Sequence, residues 1–508
     1  MSGPFHPSAH AASAPDRLAV VTPATGESRT YAELDAKSNQ VAALLRDRGL
    51  KHGDVVAVVM QNDVEWFEIV WGIQRCGLYV VPVNWHLSAK EAAYIVADCE
   101  AKALIVSAAL VDTVAALGEA ADNVGLRFAV RGSVPGFESL EQAVADKPVT
   151  ASPDDVEGSW MFYSSGTTGQ PKGIKPAIPL SELGQMNPLV GLISGLYGFT
   201  PESTYLSPAP LYHAAPAGWS TTVHRIGGTV VVMERFDPLE WLRLIEEYKV
   251  THTQVVPTYL VRLLKLADAT RARYDLSSLQ MVVHAAAPCP PEVKRAAIDW
   301  LGLIVYEYYA ASEGTGFCAI GPQEWLDHPG SVGKSLLGAV HILDEDGNEL
   351  EVGEEGEIWF EAIHRFDYHG DPEKTARAFN DKGWNSIGDI GHLDEEGYVY
   401  LTDRVSNMII SGGVNIYPRE AEDVLVMHYA VEDVAVLGTP DEVMGEQVTA
   451  FVELRDDEVG TPALAEELIE YCRERLSHFK CPKEVRFVDS LPRLPNGKLL
   501  KRMLITKS

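Results

Sequence analysis

Short apolar runs alternate with segments whose apolar positions recur every three or four residues over most of the first four hundred positions. Asp54 to Met60 reads as a buried strand, and Asp63 to Gly77 as a helix with Trp66, Phe67, Val70 and Trp71 on one face. That aromatic stripe is expected in the core. Ser88-Ala-Lys-Glu91 is a capping box opening a helix to about Ala101, and Leu104 to Val106 is the next strand. Asp237-Pro238 starts a helix ending near Tyr248, because Asp caps a helix and Pro suits its first position. Val282 to His284 and Leu303 to Tyr306 are further strands. Such alternation predicts parallel strands joined by crossover helices.

The texture changes after about Gly330. Asp344-Glu-Asp-Gly347 and Asp394-Glu-Glu-Gly397 are hairpin turns between alternating segments, which predicts a small antiparallel β unit. Past Arg404 comes a compact α+β stretch of roughly a hundred residues, long enough for a domain of its own. The expected fold class is therefore α/β. A large N-terminal domain (1–403) carries parallel-rich sheets with crossover helices plus the small β unit, and a small α+β domain (407–508) follows it.

Bulk properties narrow the function. The chain has 508 residues, too many for one core. Its net charge of −30 disfavours nucleic acid as a partner. No apolar run is long enough for a membrane span. The first residues lack the basic-then-apolar order of a signal peptide, so a cytoplasmic location is expected. Cys76, Cys99, Cys289, Cys318, Cys472 and Cys481 are scattered without a CxxC pair, which argues against disulfides and a cysteine zinc site. From Tyr471 onward ten Lys and Arg stand against three Asp and Glu, so the end of this acidic chain is suited to an anion or to a solvated face.

The densest chemical signal is Tyr163-Ser-Ser-Gly-Thr-Thr-Gly-Gln-Pro-Lys-Gly173, which follows a strand-like segment. Glycines let backbone N–H groups approach an anion, hydroxyls donate further bonds, and Lys172 adds a point charge. The spacing is not that of a Walker A loop, since Lys172 stands between Pro171 and Gly173. Further on, Tyr306-Glu-Tyr-Tyr-Ala-Ala-Ser-Glu-Gly314, Gly388-Asp389, Asp403-Arg404 with Ser411-Gly-Gly413, and Pro495-Asn-Gly-Lys498 follow in that order. Ala310 to Gly314 also fits a relaxed esterase elbow, but a hydrolase leaves the phosphate loop unexplained.

In wording and order these motifs resemble the adenylate-forming superfamily of acyl-CoA synthetases, aryl-CoA ligases, luciferases and peptide-synthetase adenylation domains. The likeness spans about Thr30 to Lys498. It implies that Ser164, Ser165, Gly166, Thr167, Thr168, Gly169 and Lys172 cradle ATP phosphates. Ala286, Ala287 and Pro288 would line the adenine, and Tyr309 would stack on it. Ser312 would touch a phosphate, Glu313 would hold Mg²⁺, Asp389 would take the ribose hydroxyls, and Arg404 would reach the ribose or a phosphate. Lys498 would neutralise charge between the carboxylate and the α-phosphate. Ala285, His213 and Trp219 fall at the acyl pocket, and Gly412, Gly413, Lys480 and Lys483 at the CoA site. Ser406 (within 404–406) stands where relatives carry a hinge Asp or Lys, making the C-terminal domain mobile. Ala310 and Ser312 replace the usual Gly and Thr.

The resemblance implies a ligase that joins a small carboxylic acid to CoA through an acyl-adenylate, releasing AMP and pyrophosphate, with ATP, Mg²⁺ and CoA required. A stand-alone enzyme loading an acyl carrier protein is the alternative. A second copy of the chain is a candidate partner.

Overall fold

A computed structural model describes residues 4–164, 171–362, 365–404, 407–411, 414–441, 443–493 and 499–505. Strand Val55–Val59 is buried at every position, as a parallel strand covered on both faces must be. It lies between Tyr79–Pro82 and Ala103–Ser107 in a six-stranded sheet completed by Leu126–Val130, Glu138–Ser139 and Ser159–Trp160, parallel throughout its described pairings. Helix Val64–Gln74 crosses between the first two and buries Trp66, Phe67, Val70 and Trp71. Each such side chain stabilises the fold by about 1.5–3 kcal/mol, so the stripe belongs to the core. Helix Ala89–Asp98 has both bonds of the Ser88–Glu91 capping box. It stops short of Ala101 because Glu100 takes a left-handed φ of 54°.

A second sheet carries the parallel strands Val305–Tyr309, Met281–His284, His252–Val255, Thr204–Ser207, Thr229–Val232 and Leu18–Thr22, in that order. Helix Pro238–Tyr248 crosses beside them, with Asp237 accepting from the amides of Leu239 and Glu240. Strand Val305–Tyr309 begins two residues later than its apolar run suggests. Gly302 has φ of 87° and accepts from the Ile304 amide, which leaves Leu303 exposed in a turn. The antiparallel unit after Gly330 is not detached. Its strands Ser331–Leu337, Val399–Arg404, Asp389–Leu393, Gly356–Glu361 and Val340–Leu343 continue the same sheet beyond Phe317–Ile320. The two turns form as expected, with the Asp344 amide bonded to Asn348 O (2.9 Å) and the Asp394 amide to Tyr398 O (3.1 Å).

Strands Ile409–Ser411, Val414–Ile416, Val431–Asp441, Gly445–Leu454 and Glu484–Val488 make a separate sheet. With helices Pro418–Leu425 and Pro462–Arg473 it encloses its own core, including Val436, Ala450, Val452 and Leu468. The two bodies touch where Lys265 Nζ donates to Val431 O (2.8 Å) and Glu432 O (2.7 Å). All six cysteines are buried free thiols. Among the described residues no helix is long and apolar enough to cross a membrane.

Candidate active site

Strand Phe162–Ser164 pairs antiparallel with Lys172–Ile174, placing Ser164 opposite Lys172. The backbone of this hairpin is thus described up to both ends of the glycine-rich run. Ser165, Gly166, Thr167, Thr168 and Gly169 lie outside the described residues, as does the Ser164 side chain. Gly173 is needed at the crossing, since a Cβ there would stand 2.8 Å from Met161 Cε and 2.9 Å from the Tyr163 ring. The Tyr163 hydroxyl donates to Asp98 Oδ2 at 2.6 Å, anchoring the hairpin to the C-terminal end of helix Ala89–Asp98. Burial and this bond push the phenol well above its ordinary pKa.

The outer edge of the hairpin meets a segment that no sequence pattern marks. Ile174 bridges to Tyr368, and the His369 amide donates to Gly173 O at 2.8 Å. The Tyr368 hydroxyl donates to Glu313 Oε1 at 3.0 Å. Over the same ring lie Lys172 Nζ, 5.4 Å from the centroid, and Lys374 Nζ at 5.6 Å. Burial, then the like charge of Lys374, push Lys172 down to about 8, against the pull of Glu313 and Asp371. Tyr368 and Lys374 escape sequence reasoning because their approach is long-range. Only the Asp371-Pro372 start of the following helix is legible.

Glu313 is half-buried in a turn after strand Val305–Tyr309, with Ser312 exposed beside it. Its carboxylate is a hard oxygen donor and fits Mg²⁺. At the end of the strand, the Tyr309 hydroxyl donates to Asp389 Oδ2 at 2.6 Å. Asp389 is buried and lies in register with Arg404 on the neighbouring strand, although the Arg404 side chain is not described. Contacts therefore run from the hairpin through Tyr368 to Glu313, and from the same strand end to Asp389.

Strand Met281–His284 leads into Ala285, which is buried, and then Ala286, Ala287 and Pro288, which rise towards the surface. Ala286 has φ of 73°. A left-handed conformation on a residue with a Cβ costs about 1–3 kcal/mol and is retained only where the surroundings enforce it. Beneath the loop Lys294 Nζ donates to Glu307 Oε2 at 2.6 Å, with His284 Nε2 3.5 Å from the same carboxylate. Burial pushes His284 down to about 4, so it is neutral at pH 7 and Lys294 is the charged partner of Glu307.

His213 stands at the N-cap of helix Ala214–Ile226, half-buried against Tyr212 with ring centroids 4.6 Å apart. Trp219 on that helix is buried in an aromatic column and stacks on Tyr308 at 5.9 Å. In the small body, both carboxylate oxygens of Glu420 hold Lys480 Nζ at 2.7 Å, while Lys483 is exposed. Ser406, Gly412, Gly413 and Lys498 lie outside the described residues. The backbone on either side of 494–498 is closed by a bridge between Arg493 and Leu499, and Arg493 Nη2 donates to Asp433 at 2.7 Å.

Residues 8–364 match the family described as AMP-binding enzyme, and residues 420–498 match the AMP-binding enzyme C-terminal domain. The chain belongs to this family of adenylate-forming enzymes. It is an acyl-CoA synthetase, an AMP-forming acid–thiol ligase. It is 33% identical over 498 residues to a long-chain-fatty-acid–CoA ligase of Mycobacterium tuberculosis, a match covering 96% of this chain and 95% of that one. It is 31% identical over 509 residues to a fatty acid–[acyl-carrier-protein] ligase of Streptomyces coeruleorubidus, covering 94% and 91%. Among solved structures, ATP-bound MatB from Rhodopseudomonas palustris is similar with a TM-score of 0.80 and 29% identity, covering 97% and 96%.

Proposed function

We propose that ATP binds along the line of contacts from Lys172 through Tyr368 and Glu313 to Tyr309 and Asp389, and that a carboxylate attacks its α-phosphate there. The observation that carries this reading is that line itself. It brings the lysine of the hairpin, an oxygen donor for a metal and a buried carboxylate together at one strand end. Residues 164–169, Lys172 and Ser312 hold the phosphates. Tyr309 and Ala286 to Pro288 hold the adenine, and Asp389 with Arg404 the ribose. Glu313 would hold Mg²⁺, which supplies neutralisation of phosphate charge. Ala285, His213 and Trp219 shape the carboxyl end of an apolar acid, fatty or aromatic. Lys498 meets the α-phosphate from the small domain (407–508), which swivels at 404–406 against the large one (1–403). The setting is the cytoplasm.

CoA is the acceptor in this reading, with Gly412 and Gly413 passing its pantetheine arm. Lys483 meets its phosphates directly, and Lys480 does so by exchanging Glu420 for phosphate. The basic chain end supports this. A carrier-protein arm as acceptor is the second reading, favoured by the likeness to the Streptomyces ligase.

The test is pyrophosphate release with a panel of fatty and aromatic acids, with and without CoA. A CoA-dependent thioester supports the first reading, and adenylate that CoA does not consume supports the second. No pyrophosphate with any acid overturns both. Lys498→Ala is expected to abolish adenylation while sparing thioester formation from a preformed adenylate. Equal loss in both half-reactions would contradict its assigned place.

A further inference from the structure

We propose that Lys374 is a second cation for the terminal phosphates of ATP, paired with Lys172 over the ring of Tyr368, so that two ammonium groups grip the diphosphate that departs as pyrophosphate. This deepens the reading above and rests on it. The two groups stand 5.4 and 5.6 Å from one ring centroid. Neither makes an ion pair with a described residue. A tyrosine face attracts a cation, but two cations on one ring repel. The pairing becomes favourable when an anion sits between them, and a diphosphate carries more charge than one lysine neutralises.

The placement of Lys374 is built rather than incidental. Asp371 Oδ1 accepts from its backbone amide at 2.9 Å, starting helix Pro372–Arg377. Thr375 Oγ1 accepts from the Tyr368 amide at 2.9 Å and donates to Asp371 O at 3.0 Å. Helix and tyrosine are therefore one unit, and that unit is bonded to the hairpin through Gly173 and Ile174. Glu313 lies at the hydroxyl of Tyr368 and the two lysines over its ring. Burial first, and then the like charge of Lys374, lower the pKa of Lys172 at this position.

The experiment is calorimetric titration of wild type, Lys374→Gln and Lys374→Arg with ATP, AMP and inorganic pyrophosphate at neutral and at alkaline pH. Lys374→Gln is expected to weaken ATP and pyrophosphate binding by about tenfold, the scale of one charge-assisted hydrogen bond, with AMP affected less than about twofold. Lys374→Arg is expected to restore most of the loss. Removing the neighbouring charge also returns Lys172 towards its ordinary pKa, so the fall in ATP affinity on raising the pH is expected to move upward in Lys374→Gln. A purely structural role would not produce that shift. ATP and pyrophosphate binding unchanged in Lys374→Gln overturns the inference and leaves the functional reading intact. Wild type failing to bind ATP overturns both. Should Lys374→Gln melt early, Lys374→Met keeps the stem over the ring and carries the same expectation.

Discussion

The Tyr309 hydroxyl and the Asp389 carboxylate are joined at 2.6 Å, tying the end of the strand that precedes Glu313 to the antiparallel extension of the same sheet. The bond fixes the carboxylate before any nucleotide arrives. Tyr309→Phe keeps the ring and removes the donor. A hydrogen bond to a charged group contributes about 1.5–3 kcal/mol, so ATP and AMP binding are both expected to weaken by about tenfold or more. Titration of the two nucleotides checks it. Wild-type affinity in the variant would mean the aspartate needs no such orientation.

Lys172 is pushed down to about 8, so it loses its charge within the range in which enzymes are assayed. Between that value and its ordinary one the folded state holds fewer protons than the unfolded. Its contribution to stability therefore rises with pH across that window, while its hold on phosphate falls. Bound phosphate raises the pKa again. The limb is accordingly expected in kcat/KM for ATP, declining above about pH 8, and not in kcat. Lys172→Arg is expected to abolish the limb, because guanidinium stays charged. A pH profile of the two constants checks it, and an identical limb in the arginine variant would contradict it.

Lys294 and Glu307 form a buried ion pair beneath the Ala285 to Pro288 loop. Breaking a buried pair strands a charge and costs about 3–5 kcal/mol, whereas replacing both partners with apolar groups is far milder. Lys294→Met is expected to lower the unfolding temperature by more than about 5 °C, and adding Glu307→Leu to recover most of it. Calorimetry of the single and double variants decides. A double variant no better than the single would show that the pair does more than satisfy its own charges.

Lys265 spans the two bodies through the carbonyls of Val431 and Glu432. The next residue, Asp433, holds Arg493 at the base of the stretch that ends in Lys498. Lys265→Gln is expected to loosen the small body and speed limited proteolysis near 405–406 several-fold, as local opening becomes easier. Cleavage at the wild-type rate would show that this contact does not restrain it.

Local chemistry made much of the fold legible. The Ser88–Glu91 box and the Asp237 cap start helices where the sequence puts them, and both Asp-Gly turns close hairpins. Periodicity misleads where backbone conformation overrides it, as at Glu100 and Gly302, or where pairing is non-local. Nothing in the alternation after Gly330 says that Ser331–Leu337 will join the parallel sheet. The site divides similarly. Glu313, Asp389 and Lys172 stand out by motif, whereas Tyr368 and Lys374 reach them only because Ile174 bridges to a segment almost two hundred positions away.

Transfer of ¹⁸O from a doubly labelled carboxylate tests the central chemistry most directly, using the acid that gives the fastest pyrophosphate release. Attack of that carboxylate on the α-phosphorus must leave one labelled oxygen in AMP and none in pyrophosphate. ADP as product, or AMP without label, would contradict it.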